Sequence, residues 1–175
     1  MVSIRNLLLI LCFLSQAAFG QSPLDSINNL LKKAKTDTAR INLLNSKLNS
    51  FIETNLDSAS ILGLQVVQEA QKASYPKGEA DARRNLSVAY SFQGNYAAAG
   101  RQLKAALDIY NRMKDLGGMS RTYSDYGLMY GMQAKYDSSI TAYKKTIALA
   151  QKVNRDDILN LAYQNIAISY QMVSN

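Results

Sequence analysis

The chain has 175 residues, of which 47% are apolar, and a formal net charge of +7 at neutral pH. With only two prolines and nine glycines, the composition favours helices and excludes collagen and a disordered chain. The sequence has no histidine, so the usual general base and the commonest metal ligand are missing. We therefore expect no enzyme activity, no metal and no cofactor for this segment.

The basic residues form small, separated clusters at 31–35, 83–84 and 144–145. Proteins that read nucleic acids usually concentrate such charge on one face, together with aromatic rings. The dispersed pattern indicates a solvated, mildly basic surface, and we expect no nucleic-acid partner.

Residues 1–20 have the order of a secretory signal peptide: Arg5, the apolar run 7–14, and the small-residue site Ala18-Phe19-Gly20. The alternative, a membrane anchor, is disfavoured because the run is much shorter than the roughly 20 residues needed to span a bilayer. Cleavage would remove the only cysteine, Cys12. We expect an exported protein of the bacterial periplasm or envelope.

A short helix is predicted within residues 21–36, from Pro23 to Lys35. Beyond it, apolar residues recur every three or four positions, as in amphipathic helices, and turn-like stretches interrupt them at a regular interval. In residues 77–116 one such stripe precedes Gly94, which can adopt the left-handed turn conformation, and a second stripe follows Tyr96. The pattern predicts helix, turn, helix, turn.

Three blocks repeat at an interval of 40 residues, with Ser87, Gly127 and Ala167 in the same phase and Lys47 in a degenerate copy. The units are a degenerate repeat at 37–76, full repeats at 77–116 and 117–155, and a truncated repeat at 156–175. A unit of this size cannot bury its apolar face alone. The predicted fold is therefore all-α, a right-handed α-solenoid of stacked antiparallel helix pairs.

These blocks resemble the tetratricopeptide repeat, with Leu86, Ser87 and Tyr90 in its first helix and Gly94 at its turn. The 40-residue period is similar to a long subtype found in bacterial regulators, and residues 55–60 resemble the opening of exported repeat proteins of Bacteroidetes. The resemblance implies a non-catalytic scaffold in the cell envelope that binds a protein or peptide. The alternative is the sensor part of a longer signalling protein, either a membrane histidine kinase or a repeat-containing transcriptional regulator.

The resemblance also implies that the first helices of the units line a concave groove, with an amide-and-acid ladder of Asn45, Asn85, Asp125 and Asn165. The residues that it assigns to the groove are Arg84, Asn85, Phe92, Arg121, Asp125, Leu128 and Asn165. An asparagine can offer a peptide backbone a donor and an acceptor together. The alternative is that these amides bond between neighbouring helices. A clamp for a C-terminal carboxylate is not predicted, because only two of its five positions match.

The last unit ends in phase with the first helix of the earlier ones, so the helix that should cover Ile166, Ala167 and Tyr170 is missing. Leaving that stripe in water would forgo about 1.5–3 kcal/mol for each large side chain. We expect either a fragment of a longer protein or self-association through the open C-terminal end.

Overall fold

A computed structural model describes residues 23–174, so the predicted signal peptide at 1–20, with Cys12, lies outside the described residues. Within this range the chain forms eight α-helices. They are α1 (Pro23–Lys33), α2 (Asp37–Thr54), α3 (Leu56–Lys72), α4 (Pro76–Phe92), α5 (Tyr96–Met113), α6 (Leu116–Met132), α7 (Tyr136–Lys152) and α8 (Asp156–Ser174).

The first helix is shorter than predicted, ending at Lys33 rather than Lys35. Thr36 has an extended backbone and its side chain accepts a hydrogen bond from the amide of Ala39, so it caps α2 and cannot continue α1. The helical pattern stops still earlier, because the amide of Ala34 bonds to the backbone oxygen of Leu31, three residues back instead of four, at 3.4 Å.

The helices pack as antiparallel pairs, α2 with α3, α4 with α5 and α6 with α7, while α8 packs on α7. The first helices of successive pairs also contact one another in the series α2, α4, α6 and α8. The second helices, α3, α5 and α7, make no such contacts with one another within the described residues. This arrangement gives a close inner layer and a splayed outer layer, and it confirms the predicted all-α solenoid.

The core is a series of small clusters between neighbouring helices, and Leu48, Leu86 and Leu103 are among its fully buried side chains. Gly127 shows why one phase of the repeat needs a small residue. A Cβ atom built there would lie 2.6 Å from Cζ of Tyr143, so α6 approaches the α7 ring too closely for a larger side chain. Ser87, in the same phase, is also buried.

Each helix from α3 to α7 is followed by one residue in the left-handed conformation. These residues have φ between 50° and 76° and are Ser74, Gly94, Lys114, Ala134 and Asn154. They recur every 20 residues, which confirms the predicted turn at Gly94. The remaining four positions carry a side chain in a conformation that L-residues seldom adopt.

The prediction for the C-terminal end was wrong at Ile166, which is buried against Ile140 and Tyr143 of α7. The apolar residues of α8 lie on two sides of the helix, and the side that holds Ile166 faces inward. Ala167 and Tyr170 are exposed as expected. The other large apolar side chains left exposed on α8 are Leu161, Tyr163, Ile168, Met172 and Val173.

No helix in residues 23–174 combines the length and apolar character needed to cross a bilayer. Across the same residues, no cluster of acidic or other metal-ligating side chains could hold a metal ion.

Candidate functional site

The inner layer encloses a groove made of two adjoining cavities. The larger, of about 530 Å³, is bounded mainly by α2 and α4, with Ile27 of α1 at one side. The smaller, of about 180 Å³, lies between α6 and α8 and includes Asp157 and Leu161. Arg84 and Arg121 line both cavities, so they stand where the two join.

Arg84 and Asp125 form an ion pair between α4 and α6, with 2.9 Å between Nη1 and Oδ2. Arg84 also donates from Nη2 to Oδ1 of Asn85 at 3.0 Å. Burial lowers the pKa of Arg84, but Asp125, Tyr110 and Asp81 together outweigh that effect and leave the pKa raised, so the guanidinium stays charged. Burial raises the pKa of Asp125, and Arg84 offsets part of the rise. The pair is therefore a link between two inner helices.

The asparagines of the predicted ladder also bond across helices. Asn85 is 7% exposed, and its Nδ2 lies 3.5 Å from the backbone oxygen of Asn45. Asn45 donates in turn to the backbone oxygen of Gly78 at 3.1 Å. Its own Oδ1, although buried, has no hydrogen-bond partner. Asn165 lies half-buried at the corresponding position of α8.

Arg121 differs from the other groove cations. It lies close enough to Asp125 to act on the pKa of that carboxyl, yet it makes no salt bridge or hydrogen bond within the described residues. Its Nε is buried without a partner. A buried donor left in this state is costly, and a ligand that accepted a hydrogen bond there would remove the cost.

The sequence analysis missed a second polar cluster at the groove, built on Lys77, Asp81 and Tyr110. The Tyr110 hydroxyl donates to Asp81 at 2.6 Å, and Lys77 lies 3.1 Å from the same carboxylate. Burial and the carboxylate of Asp81 raise the pKa of Tyr110. In the sequence, Lys77, Asp81 and Arg84 have the i, i+4, i+7 spacing that places side chains on one face of a helix. That pattern could have predicted the cluster.

The C-terminal ends of three inner helices, α4, α6 and α8, carry exposed apolar side chains. Phe92 at the end of α4 is 48% exposed, and Met132 and Met172 occupy the equivalent positions of α6 and α8 with 36% and 46% exposed. Leu128, one turn before Met132, is half-buried. The inner surface thus combines a polar, charged part with an apolar margin.

Residues 78–152, which run from α4 to the end of α7, match the tetratricopeptide repeat family. No curated protein matches the chain. Among solved structures, the crystal structure of BtubC (BKLC) from P. vanneervenii is similar, with a TM-score of 0.66 and 12% sequence identity. That likeness covers 86% of this chain but 63% of BtubC, so the chain spans less than two thirds of the length of that protein. At this identity the likeness shows the fold alone.

Proposed function

We propose that this chain is a non-catalytic scaffold that binds an extended segment of another protein in the groove of its inner layer. One observation carries the proposal: Asn45, Arg84 and Arg121 line the same cavity and each has a buried polar atom without a hydrogen-bond partner, and Arg121 makes no salt bridge or hydrogen bond within the described residues. Buried polar groups in folded proteins are normally satisfied, so such atoms identify where a ligand would bond.

These three atoms also indicate the chemistry of the ligand. Oδ1 of Asn45 can only accept a hydrogen bond, as from a peptide N–H, whereas the guanidinium nitrogens of Arg84 and Arg121 can only donate one. Lys77 and Arg84 are already paired with carboxylates, which leaves Arg121 for an acidic side chain of the ligand. Apolar side chains of the same segment would lie along the margin that includes Phe92.

Selection from a library of displayed peptides tests this proposal. We expect the wild-type chain to enrich peptides with an acidic residue beside apolar ones, and Arg121→Gln to weaken their binding by about 10-fold or more, as for the loss of one charge-assisted hydrogen bond. Arg101→Gln is the matched control, because Arg101 is exposed on the outer helix α5. No enrichment, or equal binding by both variants, would contradict the proposal.

We also propose that the protein acts in the bacterial envelope. The support is the signal-like order of residues 1–20, from Arg5 through the apolar run to Gly20. Fusing this segment to a phosphatase that is active only after export tests the idea. We expect activity from the native segment and none from Leu9→Asp, which interrupts the apolar run. Equal activity from both fusions would contradict export by this signal.

The sensor part of a longer signalling protein is the second candidate function, and the exposed face of α8 favours it. Tyr163, Tyr170 and Val173 are each about half exposed on the side of α8 away from the groove, which suits a covering helix or a second copy of the chain. A membrane span and a kinase or DNA-binding domain encoded after residue 175 would support the sensor, whereas a stop codon would exclude it. Sedimentation of the purified chain tests self-association, which Tyr163→Lys should abolish.

A further inference from the structure

A third cavity, of about 500 Å³, lies on the other side of α6 from the groove. Its floor is formed by Tyr123, Tyr126 and Tyr130, and we call it the tyrosine crevice. At 100° per residue, these positions fall on the face of α6 opposite Arg121 and Asp125. The crevice is therefore separate from the groove of the inner layer.

The splayed outer layer leaves the crevice open. Leu107 of α5 forms one wall, and Ser138, Thr141 and Ala142 of α7 form the other. The helices α5 and α7 do not contact each other, and α5 packs on α6 less extensively than α3 packs on α4. The gap between the two outer helices is thus a consequence of the solenoid, and it uncovers the side of α6 that carries the rings.

The three rings form a row of regular spacing. The centroids of Tyr123 and Tyr126 lie 6.3 Å apart, and those of Tyr126 and Tyr130 lie 6.1 Å apart. A polyproline II helix has three residues per turn and rises 3.1 Å per residue, so residues i and i+3 lie on the same side, about 9.3 Å apart. Tyr123 and Tyr130 are seven residues apart on α6, a rise of about 10.5 Å, so two residues of the ligand that are three positions apart can lie against the two outer rings.

The walls suit the backbone of such a ligand. A polyproline II segment has no internal hydrogen bonds, so its carbonyl oxygens remain free to accept. The hydroxyls of the three tyrosines and of Ser138 line the crevice and can donate to them. Aromatic-lined grooves with hydroxyl donors are a general way of binding proline-rich segments.

The two ends of the crevice carry opposite charge. Lys145 lies 5.1 Å above the Tyr123 ring at one end and forms no ion pair within residues 23–174. Asp137 lies in the first turn of α7, next to the C-terminal end of α6 and hence to Tyr130, and it also lacks an ion pair in the described part of the chain. A ligand with an acidic residue at one end and a basic residue at the other would complement both.

We propose that the tyrosine crevice binds a proline-rich peptide in the polyproline II conformation, flanked by one acidic and one basic residue. The acidic residue lies at Lys145 and the basic residue at Asp137. The charges set the direction in which the peptide lies.

Fluorescently labelled peptides with the core Ala-Pro-Pro-Ala-Pro-Pro-Ala, flanked by Asp and Lys in either order, provide the test. Binding to the full chain is measured by anisotropy, and the shifts of the tyrosine ring signals in NMR spectra locate the site. We expect one order to bind about 3- to 10-fold more tightly than the other, as for two exposed ion pairs. The double exchange Asp137→Lys and Lys145→Glu should reverse that preference.

Lys144→Glu is the matched control, since Lys144 is the neighbouring exposed residue and lies over Tyr170 instead of the crevice. Lys144→Glu should leave the preference for one peptide order unchanged. Arg121→Gln, a change in the groove, should also leave it unchanged, which distinguishes the crevice from the groove. No binding by either peptide, or an order preference that the double exchange does not reverse, would overturn the proposal. If maltohexaose or chitohexaose shifts the tyrosine ring signals and the peptides do not, the proposal would also be overturned.

Discussion

The ion pair between Arg84 and Asp125 joins two inner helices, and removing its carboxylate tests how much it stabilises them. In Asp125→Asn the guanidinium faces a neutral amide. Breaking a fully buried pair costs about 3–5 kcal/mol. Because 20% and 14% of the two side chains remain exposed, we expect the free energy of unfolding to fall by about 2–3 kcal/mol.

Asp108→Asn is the control for this measurement. Asp108 pairs with Lys104 at 2.8 Å, but 52% and 74% of their side chains are exposed. Such a surface pair contributes about 0.5 kcal/mol or less. Urea denaturation followed by circular dichroism measures both variants without the screening that an ionic denaturant would add.

A third variant tests whether the charges of the pair, and not the packing of its side chains, account for the loss of stability. Replacing both residues, as Arg84→Met with Asp125→Leu, removes the buried charges together and should recover part of the loss. If Asp125→Asn costs no more than Asp108→Asn, the reasoning is refuted and both side chains are free to contact a ligand. If the loss is as large as expected, alanine variants of Asp125 are unsuitable as probes of binding.

Three further predictions concern the turns, the packing and the tyrosines. Gly94→Ala should lower and Ala134→Gly should raise the free energy of unfolding by about 1 kcal/mol each, because both residues have a left-handed backbone conformation. In thermal melts, a shift of the two melting temperatures in the same direction would contradict this. Gly127→Ala should be destabilising by about 1 kcal/mol through its clash with a tyrosine ring, whereas Gly100→Ala, which meets no atom within 4 Å, should be stabilising in the same melts. Burial raises the pKa of Tyr126 to about 12 from the ordinary 10, so the unfolded chain ionises first and stability should fall as pH rises between these values. Tyr126→Phe should show a smaller fall in urea denaturation at alkaline pH, and an unchanged fall would refute the assignment.

The helices and their turns were predictable because they depend on local patterns. The left-handed turn at Gly94 and the small residue at Gly127 follow from the conformational freedom of glycine and from the spacing of the repeat. The same patterns did not reveal which of the two apolar sides of α8 faces α7. That choice depends on how the helices stack, so Ile166 was placed wrongly.

The groove was predictable in outline but not in its contacts. The resemblance placed Arg84, Asn85 and Asp125 on the inner face, but their pairing depends on the offset between α4 and α6. The crevice was missed for a related reason. Tyr123, Tyr126 and Tyr130 follow an ordinary helical spacing, and only the separation of α5 from α7 leaves them open.

The 20-residue interval between left-handed turns has a consequence for shortening the chain. Deleting residues 95–134 removes α5 and α6 and joins Gly94 to Lys135. Lys135, which precedes α7, then stands where Asn95 stood before α5. The remaining turns stay 20 residues apart, so a three-pair solenoid becomes a two-pair solenoid with no splice inside a helix. Asn165 then occupies the place of Asp125 opposite Arg84. We expect the shortened protein to retain its fold and to lose its ion pair, in which case the architecture is modular while the chemistry belongs to particular units.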